Sequence, residues 1–313
     1  MNNIVVFYNK GSDHQYQIEW EKELNKTYKN FKLVSIDHKE AVEATVALLW
    51  KPSIEKIKKL KKISSIISLG QGVDHIINYP DFPKHIDVYR IVDSYMAKSM
   101  SHWVILSILH YIRDFEGYRN QQKEKIYKAR EIIDFQSLSI AIYGTGEIGT
   151  VVAEDLCRLG FNVNGWSRAK KNNKFFRSFH GIQGFLDLNK NSDIHISLLP
   201  LTKETEGIFN KTFFSNVKTN SCFINAGRGD QVIEEDLLWA CSENKVKIAI
   251  LDVYRNEPLP IDHPFWENSK IIIWPHVSAE TNHKTAAAQV AKAIKLIHQK
   301  KIPKNKINLD LGY

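Results

Sequence analysis

The stretch IAIYGTGEIGTVVAEDL, Ile140–Leu156, opens as an apolar strand, turns through three glycines and continues as a helix with apolar residues on one face. In it Gly144 permits a tight turn as the strand ends, Gly146 lets a backbone without Cβ approach a pyrophosphate, and Gly149 lets the helix pack closely on the strand. The unpaired N–H groups of the helix N-terminus, at Glu147 and Ile148, then favour an anion without any basic side chain. Glycines also mark ordinary turns, so the weight of the motif comes from its strand–turn–helix context. That context points to a dinucleotide.

An NAD-specific site of this kind carries an acid about 20 residues further on, to accept the ribose 2′-hydroxyl. This chain has NGWSRAKK there, with Ser167 and Arg168 at the strand end and no acid. A hydroxyl beside a guanidinium suits a 2′-phosphate, so NADP(H) is the expected cofactor, with NAD(H) possible. The competing reading is that Arg168, Lys170 and Lys171 are surface cations of a basic protein.

The rest of the chain repeats the α/β alternation. Apolar strands are expected at IVVFY, VALLW, SIISLG and DVYRIV, and again at SIAIYG, NVNGWS, IHISLLP, SCFINAG, VKIAILDV and IIIWPH. Between the two series, Met96 to Ala129 reads as one long helix, and KTAAAQVAKAIKLIHQKK reads as an amphipathic last one. With 313 residues the expectation is two doubly wound parallel-sheet domains. The charge of +8 is spread over helical lysines without a nucleic-acid motif. It favours small anionic substrates. No apolar run approaches the ~18 residues of a membrane span, and MNNIVVFYNKG lacks the pattern of an export signal. The three cysteines are too widely spaced for a metal motif. A cytoplasmic protein is expected, with no metal, no nucleic-acid partner and no membrane partner.

Three polar residues follow successive apolar strands: Arg228 in FINAGRGD, Glu257 in LDVYRNEPLP and His276 in IIIWPHVSAET. Each alone has a plain structural explanation as a loop cation, a surface acid or a core histidine. Together they stand where ligands bind in open α/β sheets. Hydride transfer to a carbonyl places charge on its oxygen, so an acid must deliver a proton and a fixed cation must hold the substrate. His276 can be that acid, Glu257 can stabilise its imidazolium and orient the ring, and Arg228 can bind the substrate.

The set GTGEIG, LLPLTKETEGIFN, INAGRGD, LDVYRNEPLP and PHVSAET resembles the D-2-hydroxyacid dehydrogenases. ALLWKPS, LGQGVDHI, DSYMAKSMSHW, RDFEGYRNQQ and the terminal GY are similar to the glyoxylate/hydroxypyruvate reductase subgroup, and the likeness covers essentially the whole chain. It implies a Rossmann cofactor domain, 101–284, inserted into a flavodoxin-like substrate domain of 1–100 and 285–313. It also implies NADPH-dependent reduction of small 2-keto acids with Arg228, Glu257 and His276 as the catalytic set. By motif, the N–H groups of Gln71 and Gly72 should hold a substrate carboxylate, and Trp50 should lie near the substrate or else in the core. Leu199 and Pro200 should face the nicotinamide ribose and Asp252 its carboxamide, with Ala226, Gly227 and Ser278 completing the cofactor contacts. A homodimer is implied through the long helix, with Trp103, Val104, Leu106, Leu109 and Tyr111 as its apolar residues. Two features depart from the family: Ser101–His102 where a glutamate usually opens that helix, and Gly227, often alanine, which is expected only to loosen the Arg228 loop. A cofactor-sensing corepressor of the same fold is the alternative. Formate oxidation is disfavoured because Glu257 stands where formate oxidisers use glutamine.

Overall fold

SCFIN is buried along its whole length and VALLW up to its last residue, and strands of that kind need a parallel sheet covered by helices on both faces. The computed structural model describes residues 3–313 and divides into two units: residues up to Met96 with Glu280–Tyr313, and Ala97–Ala279. Along the chain come β1 (Ile4–Asn9), α1 (His14–Asn25), β2 (Lys32–Ser35), β3 (Val46–Trp50), α2 (Ile54–Lys59), β4 (Ser65–Ser68), α3 (Asp74–Ile77) and β5 (Asp87–Tyr89). These strands form a parallel sheet in the order β2-β1-β3-β4-β5. That is the flavodoxin-like order, with its switch point between β1 and β3.

Helices α4 (Ser94–Ile112) and α5 (Phe115–Glu124) follow, then β6 (Ser139–Tyr143), α6 (Glu147–Arg158), β7 (Asn162–Ser167), β8 (Arg177–His180), α7 (Gly181–Asn191) and β9 (Ile194–Ser197). The second sheet continues through α8 (Lys211–Asn216), β10 (Ser221–Asn225), α9 (Glu234–Ser242), β11 (Val246–Leu251) and β12 (Ile271–Ile273). Its order is β12-β11-β10-β9-β6-β7-β8, all parallel. Counted from β6, the centre of this sheet has the Rossmann order, and it reverses between β6 and β9. The last helix, α10 (His283–His298), belongs to the first unit, where Ala286, Val290 and Ile294 share a buried cluster with Trp20, Leu24 and Leu48.

Alternation along β6 builds two cores. Ile140 and Ile142 pack on one face of the sheet and Ala141 and Tyr143 on the other, the period of two expected of a strand. The second face is rich in rings: Phe209, Phe213 and Phe223 lie 4.8–6.2 Å apart by centroid, and each buried ring contributes roughly 1.5–3 kcal/mol.

The single helix expected over Met96–Ala129 is two helices. Asp114 takes a left-handed conformation (φ 49°) and Lys125 ends α5 in another (φ 58°). The chain then folds back on α5. Arg130 pairs with Asp114, its N–H donates to the Tyr118 hydroxyl at 3.1 Å, and a Cβ at Gly117 would stand 2.5 Å from its Nε. Of the helix's apolar residues, Trp103, Val104 and Tyr111 are core residues of their own unit, whereas Leu106 and Leu109 are exposed. Short edge strands β2 and β8 complete the two sheets; both lie outside the strands expected from pattern because edges carry little apolar signal. Among the described residues, no helix is long and apolar enough to cross a membrane, and no group of three His, Cys, Asp or Glu is placed to hold a metal.

Candidate active site

At the turn after β6, the three glycines have different reasons to be glycine. Gly144 has φ 101°, and a Cβ on Gly149 would fall 1.9 Å from the Gly144 carbonyl oxygen, so helix α6 rests directly on the turn. Gly146 has no such internal reason: nothing lies within 4 Å of its Cβ position. It caps α6 without a side-chain hydrogen bond, leaving the first N–H groups of a 12-residue helix to the space above. A backbone cradle of this shape fits a dinucleotide pyrophosphate.

The neighbouring strand end supplies cations. Ser167 closes β7, its hydroxyl donating to the Ala169 carbonyl at 2.8 Å, and Arg168 lies 3.4 Å from Glu204 in a solvent-exposed ion pair. Lys171 was not singled out as a cofactor residue from sequence, yet its Nζ donates to the Thr145 carbonyl inside the glycine turn at 2.7 Å. The run SRAKK was the only signal for it.

Across the switch point, the loops after β9, β10, β11 and β12 carry the remaining candidates. His276 Nδ1 lies 2.8 and 3.0 Å from the two carboxylate oxygens of Glu257, which also accepts from the Tyr254 N–H at 3.3 Å. With Nδ1–H donating to a carboxylate, Nε2 is the ring nitrogen left for proton exchange. The His276 side chain is 32% exposed, so a substrate can reach it. His276 itself has φ 58°, a strained conformation for a residue other than glycine. Asp252, fully buried, holds the backbone there: its oxygens accept from the N–H groups of Val277 at 2.8 Å and Ser278 at 3.0 Å. Its carboxylate thus acts on the site through the His276 loop.

Arg228 stands on the turn after β10, its Nη1 donating to the Gly227 carbonyl at 2.8 Å. Asn225, fully buried, accepts from the Gly227 N–H at 3.0 Å and donates to the Arg228 carbonyl at 3.1 Å. The turn also meets the Glu257 loop face to face, since a Cβ at Gly229 would lie 1.8 Å from the Tyr254 carbonyl carbon. Ala226 and Gly227 are buried beneath Arg228, Leu199 is buried in the aromatic core, and Pro200 is exposed. Gly227 does not merely loosen this loop, as expected from sequence. A Cβ there would meet Gln231 Oε1 at 2.5 Å and the Leu199 carbonyl oxygen at 2.9 Å, so the glycine makes room for a buried amide.

Arg228, Glu257 and His276 thus lie on adjoining loops at the carboxyl ends of neighbouring strands, beside a turn shaped for a dinucleotide. The chain belongs to the D-isomer specific 2-hydroxyacid dehydrogenase family. Residues 105–278 match the family model described as D-isomer specific 2-hydroxyacid dehydrogenase, NAD binding domain. The chain is 32% identical to glyoxylate/hydroxypyruvate reductase A of Enterobacter sp. (strain 638) over 314 residues, 99% of each chain. It is 34% identical to the Serratia proteamaculans protein of that name, over 86% of this chain and 88% of that one. Among solved structures it resembles a D-isomer specific 2-hydroxyacid dehydrogenase of Xanthobacter autotrophicus Py2 in complex with NADPH and MES (TM-score 0.92, 28% identity, 100% of both chains). It also resembles an NADPH-dependent glyoxylate/hydroxypyruvate reductase of Sinorhizobium meliloti in complex with NADP and sulfate (TM-score 0.90, 26% identity, 100% of both chains).

In this dehydrogenase the first unit carries its own cluster. Trp50 ends β3 at the switch point, with its ring 4.3 Å from that of His75, and a Cβ at Gly70 would stand 2.3 Å from the indole. Ser68 Oγ donates to the Gly72 carbonyl at 2.8 Å and accepts from the Gly70 N–H at 3.3 Å, which sets the turn holding Gln71. At the family's usual glutamate, Ser101 is fully buried and donates to Asp155 at 2.8 Å, an acid that Lys98 also meets at 2.7 Å; His102 is exposed.

Proposed function

We propose that the chain is an NADPH-dependent reductase of small 2-keto acids, taking glyoxylate to glycolate and hydroxypyruvate to D-glycerate. The observation that carries this reading is the hydrogen-bonded pair of His276 and Glu257 beside Arg228, on the same side of the sheet as the glycine turn. Reduced nicotinamide, when bound, supplies the hydride. The protein's residues do the rest. Arg228 pairs with the substrate carboxylate and polarises its carbonyl oxygen, which takes up negative charge as the carbon is reduced. The proton on His276 Nε2 goes to that oxygen, Glu257 stabilises the charged ring until then, and solvent reprotonates the histidine. In the first unit, the backbone donors of Gln71 and Gly72 suit a carboxylate, with Trp50 as a wall.

For the cofactor, Gly144, Gly146 and Gly149 with the N–H groups of Glu147 and Ile148 would take the pyrophosphate. Ser167 and Arg168, with Lys171 close by, would take the 2′-phosphate. Leu199, Pro200, Ala226, Gly227 and Ser278 line the loops on which the nicotinamide half would rest. The NADPH complex of the Xanthobacter protein and the NADP complex of the Sinorhizobium protein support this choice. Purified protein should oxidise NADPH when given glyoxylate or hydroxypyruvate. Protein that binds NADPH but oxidises none with either acid would contradict the reading.

We also place the enzyme in the cytoplasm as a homodimer, without a nucleic-acid partner. Leu106 and Leu109, exposed on α4, would supply apolar surface to the interface. Light scattering at micromolar concentration should give twice the chain mass; the mass of one chain would contradict it.

A further inference from the structure

We propose that Gln231 is a positioning residue for the reaction, fixing the backbone of Arg228 to the strand end at Leu199–Pro200, and that Gly227 is glycine to admit it. This rests on the reading of Arg228 as the substrate's cation. Gln231 is fully buried. Its Oε1 accepts from the Arg228 N–H at 3.1 Å and from the Ser197 hydroxyl at 3.0 Å; its Nε2 donates to the carbonyls of Leu199 at 2.9 Å and Pro200 at 3.1 Å. Two bonds accepted and two donated use the whole capacity of a primary amide. The orientation of the amide is unambiguous, because a backbone N–H only donates and a carbonyl only accepts.

The same amide therefore ties together the end of β9 and the turn after β10. Asn225 holds the Arg228 carbonyl from the other side, so both peptide groups of Arg228 end on buried amides. A residue needed only to fill this space would be apolar. A saturated buried amide instead specifies one geometry, since any other leaves polar groups unpaired. Precision matters at this position, because a displacement of about 1 Å in a substrate-holding group costs on the order of a hundredfold in rate. Gly227 belongs to the arrangement: a Cβ would meet Gln231 Oε1 at 2.5 Å, Leu199 O at 2.9 Å and Ser197 Oγ at 3.2 Å.

The test uses full-length, NADPH-loaded protein and compares Gln231→Leu, Gln231→Glu and Gly227→Ala with wild type. Readouts are the KM for glyoxylate, the Kd of oxalate as an unreactive acid of similar size, the Kd of NADPH and the melting temperature. Gln231→Leu and Gly227→Ala should each raise the glyoxylate KM and the oxalate Kd about tenfold or more, and Gln231→Leu should change NADPH binding less than about threefold. Gln231→Glu turns the donor end of the amide into an oxygen facing the Leu199 and Pro200 carbonyls, and should raise both constants at least as much. Variants that melt lower but keep the wild-type KM and oxalate Kd would make Gln231 a packing residue and overturn the proposal. If wild type reduces neither keto acid but Gln231→Leu and Gly227→Ala still lose oxalate, the positioning stands and the proposed activity falls. Wild type that neither turns over nor binds oxalate removes both.

Discussion

Arg228, Asp252 and His276 stand on backbone that buried side chains grip from several sides, whereas Ser167, Arg168 and Lys171 stand on a segment open to solvent. Around Arg228, Asn225 and Gln231 are fully buried, and behind His276 so is Asp252. Arg168, by contrast, is 42% exposed and its partner Glu204 69% exposed. On the proposed roles, the difference follows from the two tasks. Proton delivery and carbonyl polarisation depend steeply on distance, so those loops are held by hydrogen bonds made in low dielectric. Recognition of a 2′-phosphate needs charge more than fixed geometry, and solvent-exposed cations supply it at little cost in folding.

His276→Ala should show the largest effect, because it removes the proton donor from the rigid region. A fall in kcat of about 10²–10⁴ is expected, with the NADPH Kd nearly unchanged; equal losses in both would make His276 structural. Arg168→Ala probes the exposed region. It should lower kcat/KM for NADPH by roughly ten- to a hundredfold and leave NADH within about twofold. Ser167→Asp should reverse much of the preference by repelling the phosphate. Equal weakening of both cofactors by Arg168→Ala would make that arginine a surface cation.

Beneath the glycine turn, the rigid region has a pH limit of its own. His195 is fully buried with its Nδ1 3.1 Å from the Tyr143 hydroxyl, and burial pushes its pKa down to about 3. The unfolded chain protonates this histidine near 6.5, so the unfolded state binds the extra proton first and stability falls as pH drops from about 6.5 towards 3. The slope from this residue is at most about 1.4 kcal/mol per pH unit. Urea unfolding of His195→Gln should be flatter over that window; an unchanged pH dependence would mean that other groups set it. Smallest of all is Glu204→Gln, which frees Arg168 from an exposed ion pair and should tighten NADPH about two- to fivefold at most. Loosened NADPH would show that Glu204 orients Arg168 instead of competing for it.

Sequence pointed to the candidate chemical residues more readily than to those that hold them. Gly144 and Gly149 announce a turn because only glycine fits there, Gly146 leaves open space above the helix N-terminus, and Arg228, Glu257 and His276 are polar groups placed directly after apolar strands. Asn225 and Gln231 have no such signature. Gln231 bonds to carbonyls 31 and 32 positions away, contacts that exist only once β9 and β10 are paired. The break at Asp114 was hidden for a similar reason, since it depends on Arg130 folding back to meet it. Sequence singled out Asp252 for the nicotinamide carboxamide, whereas its grip on the Val277 and Ser278 N–H groups came from the structure.

The most direct measurement follows deuterium from NADPH labelled on the transferring position of the nicotinamide into glycolate. The account predicts one deuterium at C2 of glycolate for each NADPH oxidised, with the rate of incorporation falling in His276→Ala in proportion to kcat. Labelled NADPH that binds, yet leaves no deuterium in the acid when glyoxylate is present, would contradict it.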